Sequence, residues 1–284
     1  MSGRRAAAAL LMAAALWAAC PGFSGLATAG QPAADPVPGP APAPAPANEQ
    51  GFVIAAFQTP IVNLEPGRMR NVALAAARID GHVLQPGEVF SFNGVVGPRD
   101  AEHGWALANE IYQGEYVLGY GGGICQVTST LYNAALLGGL QIEERYHHDR
   151  PLQYIGPGRD ATVVWGQLDF RFRNSLDVPV RIGARVVPGD PPQVMVTLRS
   201  DRPRAGEPIR VEEEYVRFFP PDLVEVEDPG LPRGRRVVED EGYFGVEVRI
   251  YRVMGLGPDA RRELVSHDVY PPKPGRVRVG TGER

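Results

Sequence analysis

The chain has 284 residues, 44% of them hydrophobic and 22% charged, and its 33 acidic against 29 basic side chains leave a formal net charge of −4. That balance excludes a fully disordered chain and a polybasic nucleic-acid binder. Two cysteines, Cys20 and Cys125, are too few for a disulfide framework or a cysteine-based zinc site, and beyond the first thirty residues no run approaches the ~20 apolar residues that span a bilayer.

Arg4 and Arg5 precede an apolar stretch from Ala6 to Ala19, and Ala27 and Ala29 bracket Thr28 in an A-x-A pattern. Residues 1–29 therefore read as a secretory signal cleaved after Ala29, which makes the mature protein extracytoplasmic, with no transmembrane segment once the signal is removed. Ala18-Ala19-Cys20 offers a second reading, a lipid anchor at Cys20, although Trp17 stands where such boxes usually carry Leu or Val. Residues 30–50 are rich in Pro and Ala and form an extended, polyproline-like spacer that cannot bury a core. The remaining residues are more than one compact core usually needs, and the composition changes near Ser200. The expectation is a first domain over 51–200 and a small all-β domain over 201–284.

In chain order, Phe52 to Phe57 reads as a strand. Arg70 to Ile79 carries Val72, Ala75, Ala76 and Ile79 at helical spacing, with Gly81 as a stop signal. Val89 to Phe92 is a short buried strand between glycines, and a helix follows Gly121-Gly122-Gly123. Leu140 to Glu144, Ala161 to Trp165, Leu168 to Phe172, Val178 to Val186 and Val194 to Leu198 read as successive strands, Val178 to Val186 alternating with period two. Beyond Ser200 come strands at Ile209 to Val216, Val237 to Val238, Val246 to Val253 and Leu264 to Tyr270, with a Pro-rich connection after the first. The fold class is α+β: an antiparallel sheet with packed helices, followed by a small all-β domain.

The chemistry concentrates in the run from Gly121 to Gly139. Three glycines lead into a helix with Ile124, Val127, Leu131 and Ala134/Ala135 on one stripe, so that Cys125 falls in its first turn. Unpaired N–H groups and the helix dipole favour an anion there, and a thiol so placed can ionise near neutral pH. The N–H groups, with the Gln126 side chain, suit an oxyanion, and Gly122 and Gly123 suit the close approach of a substrate backbone. The plainer alternative is that Cys125 is a small buried hydrophobe. Without a following Lys-Ser/Thr the glycines do not read as a P-loop.

A thiolate nucleophile needs a base, and the base an orienter. His147 and His148 lie 22 and 23 residues after Cys125, and Asp160 lies 12 after His148. This is the layout of papain-like and transglutaminase-like thiol enzymes. Taken singly, the histidines also suit a solvated turn and Asp160 a salt bridge beside Arg159. Adjacent strand residues point to opposite faces, which argues against metal chelation by His147 and His148. No metal or cofactor is implied.

Asn71-Val-Ala-Leu-Ala-Ala76, Gly87-Glu-Val-Phe-Ser-Phe-Asn93, Val96-Gly-Pro-Arg99, the stretch Gly121 to Asn133, Arg159-Asp-Ala-Thr-Val163 and Asp169-Phe-Arg-Phe172 together resemble the VanW family, named for a protein encoded with a vancomycin-resistance cluster. The resemblance covers about Arg68 to Leu198. It implies an exported, cell-wall-associated protein, and some members of the family act as L,D-transpeptidases through a cysteine acyl-enzyme. Carried over, Cys125 matches the family cysteine and Asp160 the acid before Ala-Thr-Val. Where the family commonly reads Arg-His-x-His-Ser, this chain reads Arg145-Tyr146-His147-His148-Asp149, which selects His148 and replaces the first histidine by Tyr146. Gly242 to Arg249 and Arg262 to Pro274 resemble the small five-glycine wall-adhesion domain, which implies attachment to wall glycan; a β-sheet cap on the first domain is the alternative.

These readings combine into an exported cysteine-dependent acyltransferase acting on peptidoglycan stem peptides. Cys125 is the nucleophile, His148 the proton shuttle and Asp160 its orienter; Arg159 suits a stem carboxylate, or else a structural salt bridge. The alternative is a non-catalytic wall-binding or accessory protein.

Overall fold

The computed structural model describes residues 51–112 and 115–283. The leader, the spacer and Cys20 lie outside the described residues. No helix among the described residues is long and apolar enough to cross a membrane.

The first half is built on an antiparallel sheet of β1 (Phe52–Pro60), β9 (Gln193–Ser200), β8 (Val180–Val187) and the two-residue β2 (Val83–Leu84), in that order. The period-two pattern of β8 buries Val180, Ile182 and Ala184, and β9 likewise buries Val194, Val196 and Leu198. Against this sheet pack α1 (Pro66–Ile79) and α3 (Ile124–Gly138), which follows the short α2 (Phe92–Val96).

α1 begins with Pro66, whose missing N–H costs nothing in a first turn, and buries Val72, Ala75, Ala76 and Ile79. It stops before Gly81, whose φ of +79° suits glycine. α3 buries every residue except Cys125 and Leu137. It ends at Gly139, in the left-handed conformation with φ 78°, where the Leu140 N–H reaches the Ala135 carbonyl in a Schellman-type closure.

A second small sheet orders β3 (Val89–Ser91), β7 (Arg171–Arg173) and β6 (Gln141–Glu144), with the rings of Phe90 and Phe172 stacked at 5.0 Å. The α+β expectation holds here, with two corrections. Ala161 to Trp165 and Leu168 to Phe170 make only isolated bridges, Tyr146 with Thr162 and Val164 with Leu168, because the chain reverses between them at Gly166, whose φ is +74°. A hairpin of β4 (Leu107–Tyr112) and β5 (Glu115–Tyr120), which periodicity did not mark, leads directly into Gly121.

The C-terminal part is all β. β10 (Ile209–Phe219), β13 (Gly245–Met254) and β14 (Arg261–Tyr270) form one antiparallel sheet. β11 (Leu223–Pro232), β15 (Gly275–Gly282) and β12 (Arg236–Asp240) form another, in which β11 and β15 run parallel. The Pro-rich connection expected after β10 is thus largely the strand β11, and β15 was not anticipated. Both are held by main-chain pairing that leaves little trace in the side-chain pattern.

Candidate thiol site

The start of α3 is fixed by its neighbours. Gly122 lies so close to β4 that a Cβ there would stand 2.6 Å from the Asn109 carbonyl oxygen and 2.8 Å from that of Ala108. Gly123 caps the helix at φ +105°, against Arg68 and Val72 of α1. Asn71, buried in α1, donates through Nδ2 to the carbonyls of Ala106 (3.0 Å) and Gly122 (3.1 Å) and accepts from the Ala106 N–H at 2.8 Å. Three polar side chains of the helix are satisfied by the helix itself: the hydroxyls of Thr128, Ser129 and Thr130 return to the carbonyls of Ile124, Cys125 and Gln126. Cys125 therefore leaves a rigid helix start at the edge of the core, partly buried.

Ser129 connects this helix to the loop that carries the acid. Its Oγ accepts from the Ala161 N–H at 2.9 Å, next to Asp160 in sequence. Asp160 is 1% exposed. Its Oδ2 accepts from the backbone N–H of His148 at 2.8 Å and lies 2.6 Å from His148 Nδ1. The same imidazole lies beside Cys125, and with Nδ1 held by the carboxylate, Nε2 is the nitrogen left to face the sulfur. The Thr162 hydroxyl stands 3.6 Å from the sulfur and the Val163 carbonyl 3.8 Å. The structure thus brings Cys125, His148 and Asp160 together, with His148 hydrogen-bonded to Asp160.

Charge follows from this geometry. Burial opposes the Cys125 thiolate, but the hydrogen bond and positive charge of His148 outweigh it and bring the thiol down to about 7. Burial likewise opposes the imidazolium, and the hydrogen bond to Asp160 with the charges of Asp160 and Cys125 raise His148 to about 10. Asp160 resists the cost of burial through His148 and Arg145 and stays well below the usual carboxylate range. The two opposite shifts together favour the thiolate–imidazolium pair over the neutral one.

Comparison with known proteins finds likenesses to two families. Residues 67–196 match the family model described as VanW like protein, and residues 210–282 match that of the G5 domain. The chain carries a VanW-like domain and a G5 domain. It is 50% identical over 133 residues to uncharacterized protein YoaR of Bacillus subtilis (strain 168), a match covering 47% of this chain and 43% of that protein. It is 29% identical over 123 residues to vancomycin B-type resistance protein VanW of Enterococcus faecalis (strain ATCC 700802 / V583), covering 42% of this chain and 45% of that one. The chain spans less than half the length of either relative. Among solved structures, the IgA1 protease G5 domain shares 27% identity at a TM-score of 0.21, over 28% of this chain and 98% of that one.

Four of the expected site residues of the VanW-like domain are occupied otherwise. Gly122 and Gly123 admit this chain's own β4 and α1 rather than a substrate backbone. The Gln126 amide is spent on Thr59 (3.1 Å), the Pro60 carbonyl (2.8 Å) and Arg68 (3.1 Å), and its backbone N–H bonds the Gly123 carbonyl, so neither group is left for an oxyanion. Arg159 bonds Asn133, pairs with Glu213 of the G5 domain at 3.1 Å and lies over the Phe57 ring, so it takes the structural salt bridge and not a stem carboxylate.

Other groups around the site went unmarked by the sequence. Tyr154 is held neutral by burial and by the Cys125 charge. Arg99, over the rings of Phe92 and Trp165, lies within the field of the sulfur. Arg145 donates to Asp160 Oδ1 at 3.1 Å, and Tyr270 of the G5 domain donates to the same oxygen. The first turn of α3 is a signal in sequence; these partners come from distant segments and carry no spacing pattern.

Proposed function

We propose that this is a cell-wall-associated protein whose G5 domain engages wall glycan and whose VanW-like domain presents a thiolate for acyl transfer. VanW-like and G5 domains are features of extracytoplasmic, cell-wall-associated proteins. The matches carry no reaction, and taken alone they fit an accessory, wall-binding protein better than an L,D-transpeptidase. The observation that favours chemistry is the buried, hydrogen-bonded His148–Asp160 pair set beside Cys125 at the start of α3. A cysteine that merely packs does not need a buried imidazolium beside it. With this reading go residues 1–29 as an export signal or, with Cys20, a lipid anchor, 30–50 as spacer, 51–200 as the thiol domain and 201–284 as the wall module.

In the proposed reaction the Cys125 thiolate attacks a stem-peptide carbonyl, and the C–N bond to the terminal D-residue breaks as His148 Nε2–H protonates the departing amine. A thioester remains, with neutral His148. An acceptor amine then gives its proton to Nε2 as it attacks the thioester, which restores the thiolate–imidazolium pair; water in its place gives hydrolysis. Asp160 keeps Nδ1–H oriented throughout and stabilises the imidazolium.

Intact-mass spectrometry of the mature protein with tetrapeptide-stem muropeptides, beside Cys125→Ala, tests this. The expected result is an added stem mass on the wild type only, chased into cross-linked dimers by an acceptor stem. A folded, unoxidised protein that gains no adduct and turns nothing over sinks the acyl-transfer reading and leaves the accessory one.

A further inference from the structure

The carboxylate that orients His148 is held from both domains. Two of its four donors belong to His148; the other two, on Oδ1, are Arg145 and the Tyr270 hydroxyl. Arg145 is shared with Asp268, whose Oδ2 accepts from it at 2.6 Å and from Ser266 at 3.0 Å. Tyr270 and Asp268 lie on β14 of the G5 domain, and both are buried. The Tyr270 hydroxyl also accepts from the Gly158 N–H at 2.8 Å, two residues before Asp160, and its ring packs on His147 at 4.8 Å. Gly158 itself, at φ +82°, is pressed against Ile250 of β13, where a Cβ would stand 2.6 Å away.

A module attached only to bind glycan would meet its neighbour through a polar, hydrated face. Burying an aspartate and a tyrosine hydroxyl at the join is costly unless each is paired, and here their partners are Asp160 and the arginine that neutralises it. We propose that the thiol site is a two-domain site, in which Tyr270 and Asp268 of the G5 domain position Asp160 and set its charge balance. The G5 domain is then a working part of the site as well as a wall module. The inference rests on the acyl-transfer reading for its place in a reaction, but its test reads the thiol directly.

The charged and titratable groups run in series: Asp268, Arg145 with Tyr132 beneath it, Asp160 with Tyr270, His148, then Cys125 with Tyr154 and Arg99. Asp268 stands at the imidazolium end of this series. Neutralising it removes negative charge from the field of both groups, so the imidazolium loses support and, because His148 stays protonated while Cys125 titrates, the thiol ionises slightly more easily. The Tyr270 hydroxyl acts in the opposite sense, because it draws carboxylate charge away from His148. Removing it leaves Asp160 a stronger partner for the imidazolium.

The experiment is the pH dependence of Cys125 alkylation by iodoacetamide in the full mature chain, for wild type, Asp268→Asn and Tyr270→Phe, with His148 imidazole NMR shifts as a parallel titration that needs no reactive thiol. Asp268→Asn is expected to lower the His148 midpoint by about half a unit and that of Cys125 by less, and Tyr270→Phe to raise both. Midpoints that both stay at the wild-type value, or that move together as a loosened fold would move them, overturn the proposal. Tyr270→Phe keeps its ring in the core, and if Asp268→Asn fails to fold, the presence or absence of an upward shift in Tyr270→Phe decides alone. Shifted midpoints without an acyl-enzyme remove the reaction and keep the two-domain site; an acyl-enzyme with unshifted midpoints does the reverse.

Discussion

α3 and the β11–β15–β12 sheet sit at opposite ends of the range of burial in this molecule. α3 hides thirteen of its fifteen residues, among them Thr128, Ser129, Thr130 and Asn133, whose side chains are hydrogen-bonded inside. β11 exposes all but Asp228 and Leu231, with Leu223, Val224 and Val226 open to solvent, although it pairs parallel to β15 and parallel pairs are usually covered on both faces. The first element is held by packing on every side. The second is held by its ladder and by side-chain ties at the rim such as Arg278 to Asp228 at 2.9 Å. A thiol that must keep its imidazole within hydrogen-bond reach belongs on the first kind of support, and a surface offered to a polymer belongs on the second.

The largest effect is expected where the dense region meets charge. His148→Asn removes the cation and leaves burial opposed only by the Thr162 hydroxyl and the Val163 carbonyl, so the thiol titrates well above about 7. Iodoacetamide alkylation at pH 7 is expected to fall by about 50-fold, the consequence of a rise of roughly two pKa units from a midpoint at that pH. In the wild type, alkylation falls as pH drops through about 7, whereas acyl transfer, which also needs the imidazolium as acid, falls again above about 10. The stability signs run the same way. His148, raised from 6.5, contributes fully below that value and loses its contribution as pH rises through about 10. Cys125, lowered from 9.0, contributes fully above that value and loses it as pH falls through about 7. A single sigmoid for both rates breaks this assignment.

Next comes packing itself. Leu131→Ala, in the middle of α3, is expected to cost about 2–5 kcal/mol, and Val226→Ala on β11 less than about 0.5 kcal/mol, both read from urea unfolding. Equal losses erase the contrast. Gly158→Ala tests the seam between the domains: a positive φ and a contact with Ile250 predict a loss of about 1–3 kcal/mol. Ile250→Val in the same chain should recover part of the loss if the contact, and not the backbone, carries it.

What was legible in the sequence follows the same division. Val72, Ala75, Ala76 and Ile79 announced α1, and the alternation of Val180, Ile182 and Ala184 announced β8, because one-sided burial writes a period into the chain. Cys125 was legible from the glycines before it and the helix stripe after it. His148 and Asp160 were legible only as spacing and through the family resemblance. β11 was not, since a strand exposed on both faces has no apolar period to show, and β15 was not, because two of the three residues it buries, Gly275 and Gly280, are glycines. Gln126 was misjudged because a helix N-terminus predicts available N–H groups, while the bonds from its amide to Thr59, Pro60 and Arg68 are tertiary. Tyr270 and Asp268 were invisible for the same reason: a contact across 110 residues leaves no local mark.

The smallest effect separates two ways of holding the G5 domain to the thiol region. Arg159 pairs with Glu213 of β10 at 3.1 Å, with side chains 12% and 28% exposed, so solvent screens the pair and its worth is expected to stay at or below about 1 kcal/mol, diminishing with salt. Arg159→Ala overstates it, because the same guanidinium bonds Asn133 and covers Phe57, and its loss leaves a buried amide oxygen unpaired. Glu213→Gln removes the charge and keeps an amide oxygen to accept from the Tyr215 hydroxyl, now 3.0 Å from Glu213 Oε2, so it reports mainly the ion pair. If that variant unfolds within about 0.5 kcal/mol of wild type while Gly158→Ala does not, the join is carried by Ile250 and Tyr270 packing on the Asp160 loop, and the surface charge only trims it. A larger, salt-sensitive loss in Glu213→Gln would instead make the exposed pair the clasp, and would weaken the case that burial at β13 and β14 is what fixes the carboxylate behind His148.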